Sequence, residues 1–207
     1  ECAADVQEPE YIENILAAHK NGTPGVNLHC AMHCYRSGDF QKPVKPGAAN
    51  AGWFEYLGLQ STGHGPQLPI EITIVDKQHP STATAGNWTT IKEELYNNVA
   101  ILTGHPLAKG KQMVPSKEGP KEVETVVAWT NEYGPKKTRV WSTTLGHNNE
   151  TVADARYLDL VTRGLLWSVD KLNDTYLKVQ KQEPSGFQGP HPPMGGCGLF
   201  AFQTSPN

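Results

Sequence analysis

The first twenty residues carry apolar side chains at helical spacing. In residues 8–20 (EPEYIENILAAHK), apolar groups recur every three or four positions, acidic residues come first and Lys20 comes last. This pattern predicts an amphipathic helix, and the NGTPG segment after it predicts where the helix ends. The apolar run VNLHC that follows predicts a short buried strand. A helix, a glycine-containing turn and a strand indicate an αβ unit, which is typical of parallel sheets covered by helices.

Further strands are predicted from alternation and from short apolar runs. Residues 69–76 (PIEITIVD) alternate isoleucine with polar residues, which predicts a half-exposed strand. Residues 97–104, 124–130 and 139–146 predict three more strands. Residues 106–122 are rich in lysine, glycine and proline, and they predict a connection between two of these strands. The segment WFEYLGL, upstream of all four, predicts one or two helical turns.

The longest helix is predicted over residues 151–172. Its apolar face is expected to comprise Val152, Ala155, Leu158, Leu160, Val161, Leu165, Leu166 and Val169. Glycine and proline dominate from residue 183 onward, so we divide the chain into an α/β domain at residues 1–182 and a tail at residues 183–207. Parallel α/β sheets begin with a strand, whereas this chain begins with a helix. We therefore expect the first strands of the sheet to precede Glu1.

Composition and charge limit the classes of function. The 207 residues are 37% hydrophobic and carry a net charge of −3, which predicts a packed core and gives no electrostatic footprint for nucleic acid. No apolar stretch approaches the roughly 18 residues that a membrane span needs. Four Asn-x-Thr sequons would be glycosylated only in a secreted eukaryotic protein. The acidic amino terminus is no signal peptide, and we favour an extracytoplasmic location, periplasmic or secreted, over a cytoplasmic one.

The segment GVNLHCAMHCYR places two histidines and two cysteines within six positions. These residues, His29, Cys30, His33 and Cys34, fit a metal site, a nucleophile with its base, or the crowded end of a buried strand. Metal sites built from cysteine need a second cysteine pair downstream, which the sequence lacks. Cys30 as a nucleophile would require a base, for which His147 is the candidate. A small cysteine packed at the end of a strand is the commoner arrangement.

Three histidines lie where a ligand would bind an open α/β sheet. His29 follows a predicted strand, His64 lies in the glycine-flanked loop STGHGPQ, and His147 lies between a strand and a helix in TTLGHNNET. Because ligands bind beyond the carboxyl ends of parallel strands, we expect these histidines to converge on one polar pocket. There they would bind a divalent metal such as Zn²⁺, or serve as acid and base. The alternative for each is a hydrogen bond to its own loop backbone.

Two adjacent carboxylates, Glu93 and Glu94, stand just before the strand predicted at residues 97–104. A carboxylate there would orient a histidine or bind a sugar hydroxyl. The alternative is the solvated face of a helix, which we expect more for Glu93 than for Glu94. The sequence contains no Gly-x-Ser-x-Gly elbow, no P-loop and no Gly-x-Gly-x-x-Gly, so nucleotide binding has no support.

An ordered set of six motifs resembles the ThuA-like (trehalose utilisation) family. The motifs are VNLHCA, GLQSTGHG, PIEITIVDKQHP, EELY, VVAWTNEYGPKKTRVWSTTLGHNNET and RGLLW, and they cover roughly residues 8–172. The segment AWTNEYGPKKTRVWSTTLGH is the most specific of them. The turn YGPKKTR is longer than the turn usual in the family, which leaves the position of Arg139 open.

The resemblance implies a three-layer, flavodoxin-like fold with a mostly parallel sheet, akin to class I glutamine amidotransferases. It also implies a role in sugar or disaccharide metabolism. By motif it places His29, His64, His147 and Glu94 in the pocket, where we expect all four to be catalytic residues and the three histidines to be metal ligands. It places His79, Tyr96 and Trp129 nearby as substrate-binding residues. The amidotransferase elbow Gly-x-Cys-x-Gly is absent, so Cys30 inherits no role as a nucleophile from this comparison.

Three hypotheses for function follow. In the first, the chain is an enzyme (a hydrolase, lyase or isomerase) that acts on a small carbohydrate or keto-sugar with the help of a divalent metal. In the second, it is a non-catalytic carbohydrate-binding module that uses some of its five tryptophans to stack on sugars. In the third, ranked last, it is a hydrolase that depends on Cys30. The expected partners are a small carbohydrate and a second copy of the chain, with no nucleic acid and no membrane.

Overall fold

The computed structural model describes residues 6–177. The tail predicted at residues 183–207 lies outside the described residues. The described helices are α1 (Pro9–Lys20), a 3-10 helix (His29–His33), α2 (Gly52–Leu57), α3 (Asn149–Ala153) and α4 (Ala155–Ser168). The described strands are β1 (Gly25–Leu28), β2 (Leu59–Ile74), β3 (Trp88–Ile101), β4 (His105–Val114), β5 (Lys121–Tyr133) and β6 (Thr138–Thr143). No helix in this part of the chain is long and apolar enough to cross a membrane.

The six described strands form one mixed sheet in the order β1-β6-β5-β4-β2-β3. Only β1 and β6 pair in parallel, and every other pair in the described sheet is antiparallel. The prediction of a mostly parallel sheet is therefore wrong. The connections at residues 115–120 and 134–137 explain two of the antiparallel pairs, β4 with β5 and β5 with β6, since a parallel crossover needs a dozen or more residues and these are shorter. The α/β class is confirmed, and the three-layer arrangement stays a prediction.

The sequence pattern does not predict strand β4, because two of its four buried positions hold a glycine and a glutamine. A side chain at Gly110 would meet Ile70 and Val127 at 2.6 Å, so only glycine fits there. Gln112 is also buried, although its amide is polar. The residues 106–122 were therefore too poor in apolar groups to predict a strand, and the expected connection is limited to the residues after Val114.

The long helix predicted over residues 151–172 is divided at Asp154. The Asp154 carboxylate accepts a hydrogen bond from the backbone N–H of Arg156 at 2.8 Å, and it thereby caps the first turn of α4. Helix α4 buries Tyr157 and Leu160, whereas the predicted core residues Leu158 and Leu165 are each 48% exposed. The prediction that this segment is helical is confirmed. Its division at Asp154 and the face that it buries were not predicted.

Two clusters of buried side chains hold the helices to the sheet. Val140 belongs to one cluster and its neighbour Trp141 to the other, since successive strand residues point to opposite faces. Leu16 of α1 and Tyr56 of α2 pack in the first cluster. The second cluster takes its helical residues from α4. This packing fixes the chain segments after β1 and β6, where two of the predicted site histidines lie.

Candidate functional site

Three histidines surround one buried carboxylate. The Glu94 side chain is 7% exposed, and its oxygens lie 3.1 Å from Nδ1 of His147, 3.5 Å from Nε2 of His29 and 3.6 Å from Nε2 of His64. These four residues come from β3, from the end of β1, from β2 and from the loop after β6. The structure thus brings together the three histidines and the carboxylate that the sequence analysis selected.

His29 is held by a strained backbone and one hydrogen bond. It follows β1 directly, and its φ of +47° is uncommon for a residue other than glycine. Such strain is often found at functional sites, where the surrounding structure maintains it. The ring donates its Nδ1–H to the carbonyl of Thr144 at 2.8 Å. The lone pair of Nε2 is therefore the one that faces Glu94.

His64 lies within β2 and not in a loop, so that part of the prediction is wrong. The pairing of β2 with β3 shifts register on either side of His64, which is a β-bulge pattern that redirects side chains. The ring donates Nδ1–H to the carbonyl of Gly65 at 2.9 Å, which leaves the Nε2 lone pair towards Glu94. His64 is 45% exposed and forms the open side of the site.

His147 is positioned through its backbone. The Glu93 carboxylate accepts hydrogen bonds from the backbone N–H of His147 at 2.9 Å and from that of Asn148 at 3.3 Å. Gly146 adopts a φ of +113°, and a Cβ there would lie 2.6 Å from the hydroxyl oxygen of Tyr157. Glu93 is fully buried, so the expected solvated helix face is wrong for this residue, which lies in a strand.

Gln67 is a site residue that the sequence analysis missed. Its amide nitrogen lies 2.7 Å from Nε2 of His147 and 3.3 Å from Oε1 of Glu94. With the amide in this orientation, His147 carries its hydrogen on Nδ1 and donates it to Glu94. With the amide reversed, Gln67 accepts from Nε2–H and leaves Nδ1 to bind a cation. In a regular strand, residues 64 and 67 would lie on opposite faces. The bulge in β2 changes this and allows both side chains to reach Glu94.

Tyr96 lies between two histidine rings. Its hydroxyl is 3.3 Å from Nδ1 of His29, and its ring stacks on His33 at a centroid distance of 4.4 Å. Burial, then the charges of Glu94 and Glu93, raise the pKa of Tyr96, so its hydroxyl stays protonated and can donate. Tyr96 thus lies at the site, as predicted from the resemblance.

His33 forms a second layer behind Tyr96. Its Nε2 lies 2.9 Å from the hydroxyl of Ser61. Burial, followed by the charge of Arg36, lowers the pKa of His33 to about 3. His33 is therefore a neutral ring that supports Tyr96 by stacking on it.

Two of the predicted substrate-binding residues lie elsewhere. Trp129 is 1% exposed and donates its indole N–H to the carbonyl of Leu57 at 2.7 Å, so it is a core residue. His79 packs against the ring of Trp167 and bonds to the hydroxyl of Ser81 at 2.8 Å. Within the described residues, neither makes a hydrogen bond or ring contact with Glu94 or its three histidines.

Cys30 is disulfide-bonded in the structure. A sulfur in a disulfide bond provides no thiolate, and the thiolate is the nucleophilic form of cysteine. The hypothesis of a hydrolase that depends on Cys30 therefore loses its nucleophile. Cys34 is buried, and its sulfur lies 3.8 Å from the carbonyl oxygen of Cys30, as expected for packing near the end of a strand.

The donor set around Glu94 fits a divalent cation. One ligand atom each from His29, Glu94 and His147 lie within 4.8 Å of one another. Two histidines and one glutamate form a set that catalytic zinc sites use, and tetrahedral bonds of about 2.0–2.1 Å put ligand atoms roughly 3.3 Å apart. The histidine–carboxylate distances of 3.1–3.6 Å agree with that spacing. A bound cation would also compensate the charge of the buried Glu94 carboxylate.

Comparisons with known proteins support one family. No curated protein matches the chain. A ThuA-like protein from Bacteroides uniformis ATCC 8492 aligns with a TM-score of 0.60 at 15% identity, over 80% of this chain and 66% of the other. A ThuA-like protein from Parabacteroides merdae ATCC 43184 aligns with a TM-score of 0.53 at 20% identity, over 75% and 63%. This chain thus spans just under two thirds of the length of either of these two proteins. The sequence profile described as trehalose utilisation matches residues 3–168, and the chain therefore belongs to the trehalose utilisation (ThuA) family.

Proposed function

We propose that this chain is a sugar-processing domain in which His29, Glu94 and His147 bind a divalent cation such as Zn²⁺. The observation that carries the proposal is the arrangement of three histidine nitrogens around one buried carboxylate. The substrate class, a small carbohydrate or keto-sugar, is proposed from the family to which the chain belongs.

In such a site, different residues would bind the cation, accept a proton and donate a hydrogen bond. A bound divalent cation would polarise a carbonyl or hydroxyl oxygen of the substrate. His29 and His147 would hold the cation, with Glu94 between them. His64 is more exposed than the other two histidines, and the lone pair on its Nε2 can accept a proton from a substrate hydroxyl. The protonated hydroxyl of Tyr96 can donate a hydrogen bond to a substrate oxygen.

The alternative, a non-catalytic carbohydrate-binding module, draws little support from the tryptophans. Trp53, Trp88, Trp129 and Trp141 are all buried, so they offer no exposed ring on which a sugar could stack. The remaining Trp167 packs with His79, away from the residues that contact Glu94. We therefore retain the metal-assisted enzyme as the proposed function.

Metal analysis of the intact protein tests the proposal. We expect the wild-type protein to retain about one equivalent of Zn²⁺ after dialysis, and His29→Ala and His147→Ala to retain much less. His105→Ala is the matched control, because His105 is 60% exposed and pairs with Asp76 instead of Glu94. Equal zinc content in all four proteins would contradict the proposed site. Turnover of keto-sugars and disaccharides by the zinc-loaded protein, lost in the two site variants, would complete the test.

A further inference from the structure

Gln67 contacts two of the proposed cation ligands through one amide group. Its nitrogen lies 2.7 Å from Nε2 of His147 and 3.3 Å from Oε1 of Glu94. The same Glu94 oxygen lies 3.1 Å from Nδ1 of His147. Gln67 reaches these atoms because the pairing of β2 with β3 shifts register between His64 and Gln67. The two ring nitrogens of His147 therefore have different neighbours, an amide at Nε2 and a carboxylate at Nδ1.

The contact with Glu94 fixes the orientation of this amide while no cation is bound. An ionised carboxylate can only accept hydrogen bonds, so Gln67 must present its nitrogen, and not its oxygen, to Glu94. The same nitrogen then donates its second hydrogen to Nε2 of His147. A neutral imidazole that accepts a hydrogen bond at Nε2 carries its own hydrogen on Nδ1. In the cation-free protein, Gln67 thus favours the tautomer of His147 that has no lone pair on Nδ1.

A bound cation requires the other tautomer. Nε2 of His147 is in contact with Gln67, so Nδ1 is the nitrogen left to bind a cation beside Glu94. A neutral ring that binds through Nδ1 carries its hydrogen on Nε2, where that hydrogen would point at the amide N–H group. Two donors cannot form a hydrogen bond with each other, so the amide must turn to present its oxygen. His147 stays neutral, because solvent takes the proton from Nδ1 and returns one to Nε2.

Glu94 determines which of the two amide orientations is stable. The turned amide has its oxygen where its nitrogen was, beside Oε1 of Glu94, and two acceptors that face each other repel. A cation bound to Glu94 compensates the negative charge of that oxygen and weakens the repulsion. The turned orientation is therefore favoured only with the cation in place. Gln67 is exposed, so its amide has room to turn.

We propose that Gln67 is a positioning residue that selects Nδ1 of His147 as the cation ligand, and that its amide turns when the cation binds. The inference rests on the proposed function, because it concerns the same cation site. It adds a residue that is not itself a ligand and a change of hydrogen bonding that accompanies binding. Replacing the outer hydrogen-bond partner of a metal-binding histidine typically lowers metal affinity by about 10–100-fold.

Two replacements of Gln67 test whether its oxygen is the part that matters. Gln67→Leu removes the acceptor, and we expect it to bind zinc about tenfold more weakly than the wild type. Gln67→Glu presents only acceptors to the Nε2–H group, so we expect it to bind zinc at least as tightly as the wild type. Gln78→Leu and Gln78→Glu are the matched controls, because Gln78 is exposed and it is its backbone N–H that bonds to Asp76. Zinc titration against a competing chelator measures the affinities, and urea denaturation checks that each variant folds.

Nitrogen-15 spectra of the histidine rings give a readout that a merely structural role would not change. These spectra distinguish a ring nitrogen that carries a hydrogen from one that does not, and His147→Ala identifies the signals of His147. We expect the hydrogen on Nδ1 in the EDTA-treated wild type and on Nε2 in the zinc-loaded wild type. EDTA-treated Gln67→Leu should lose the preference for Nδ1.

Several results would overturn the inference while zinc still binds, and these leave the proposed function standing. They are zinc bound through Nε2 of His147, the same tautomer with and without zinc, or an unchanged preference for Nδ1 in EDTA-treated Gln67→Leu. Equal zinc affinity in Gln67→Leu and the wild type, equal weakening in Gln67→Glu, or an equal change in the Gln78 variants would do the same. A wild-type protein that takes up no zinc would overturn the proposed function and this inference together, so the two failures are distinguishable.

Discussion

The carboxylate of Glu93 accepts a hydrogen bond of 2.9 Å from the backbone N–H of His147. The next residue, Glu94, directs its own carboxylate to Nδ1 of the same histidine at 3.1 Å. Successive residues of a strand point to opposite faces, so β3 places one carboxylate against the backbone of the loop and the other against its side chain. Glu93 is thus a positioning residue, and Glu94 is the candidate ligand.

Glutamine substitutions should separate these two roles. We expect Glu93→Gln to lower the free energy of unfolding by about 1–3 kcal/mol, because it weakens charge-assisted hydrogen bonds to buried backbone N–H groups. Glu94→Gln removes a buried charge, so we expect it to leave the metal-free protein equally or more stable while zinc affinity falls steeply. Urea denaturation and zinc titration of both variants provide the measurements. A Glu94→Gln protein that unfolds more easily than Glu93→Gln would contradict this division.

Zinc should stabilise the folded chain through the same cluster. A ligand that binds only the folded state at a hundred times its Kd raises the free energy of unfolding by about 2.7 kcal/mol. We expect this increase for the wild type and for His105→Ala, and its absence for His29→Ala. Thermal or urea unfolding with and without added zinc measures the difference. An equal increase in His29→Ala would show that zinc binds elsewhere on the chain.

Residue pattern selected three histidines that the structure brings together, but it did not indicate how the strands of the sheet pair. His29, His64 and His147 could be selected because glycines and strand ends mark them in the sequence. The direction of the strands could not be predicted, because it depends on the pairing of β4, β5 and β6 through short connections that residue patterns do not reveal. Strand β4 could not be recognised from the sequence, because Gly110 and Gln112 are buried in it and neither is a residue type typical of a core.

The supporting residues of the site were the harder part to predict. Gln67 reaches Glu94 only because β2 is irregular beside His64, and irregular pairing leaves no periodic signal. Glu93 and Glu94 look alike in sequence, yet one holds a loop and the other faces three histidines. The motif places Trp129 near the pocket as a substrate-binding residue, whereas β5 directs it into the core. The irregularity of a strand and the side of the sheet on which a side chain lies both depend on tertiary structure, and a single sequence carries little information about either.

Stability should decrease with acidity because of His33. Burial, then the charge of Arg36, lowers its pKa in the folded chain from 6.5 to about 3. The unfolded chain therefore binds the proton first as the pH falls below 6.5, and stability is lost from there towards pH 3, by at most about 1.4 kcal/mol per pH unit. We expect His33→Gln to flatten this part of the profile, as measured by urea denaturation between pH 7 and pH 4.

His79 provides the control for that profile. Burial lowers its pKa as well, so it contributes with the same sign, but it packs on Trp167 and not on Tyr96. His79→Gln should flatten the profile independently of His33→Gln, and the two effects should add because the residues share no contact. If the free energy of unfolding of the double variant, His33→Gln with His79→Gln, falls with pH as steeply as that of the wild type, then other groups cause the acid sensitivity.

Gly164 should be intolerant of a methyl group. A Cβ at this position would lie 2.3 Å from Cδ2 of Trp141, a fully buried ring. Glycine to alanine ordinarily stabilises a helix by about 1 kcal/mol, but overpacking a core costs about 1–3 kcal/mol. We expect Gly164→Ala to lower the free energy of unfolding, whereas Thr162→Ala, at an exposed position of the same helix, should change it little. Denaturation of both variants at neutral pH makes the comparison.

Gly146→Ala should disturb the site itself. Its φ of +113° disfavours any residue with a side chain, and the new Cβ would lie 2.6 Å from the Tyr157 hydroxyl oxygen. We expect the loop to shift, so that His147 moves away from Glu94 and zinc affinity falls at least tenfold. Gly86→Ala is the matched control, since a Cβ there meets no atom within 4 Å and its backbone is not left-handed. Tyr157→Phe in the Gly146→Ala background removes the 2.6 Å contact but leaves the backbone strain and a 3.2 Å contact with Cζ of the ring, so it should recover only part of the affinity. Full recovery would assign the effect to the clash alone, and unchanged affinity in Gly146→Ala would show that this glycine does not position His147.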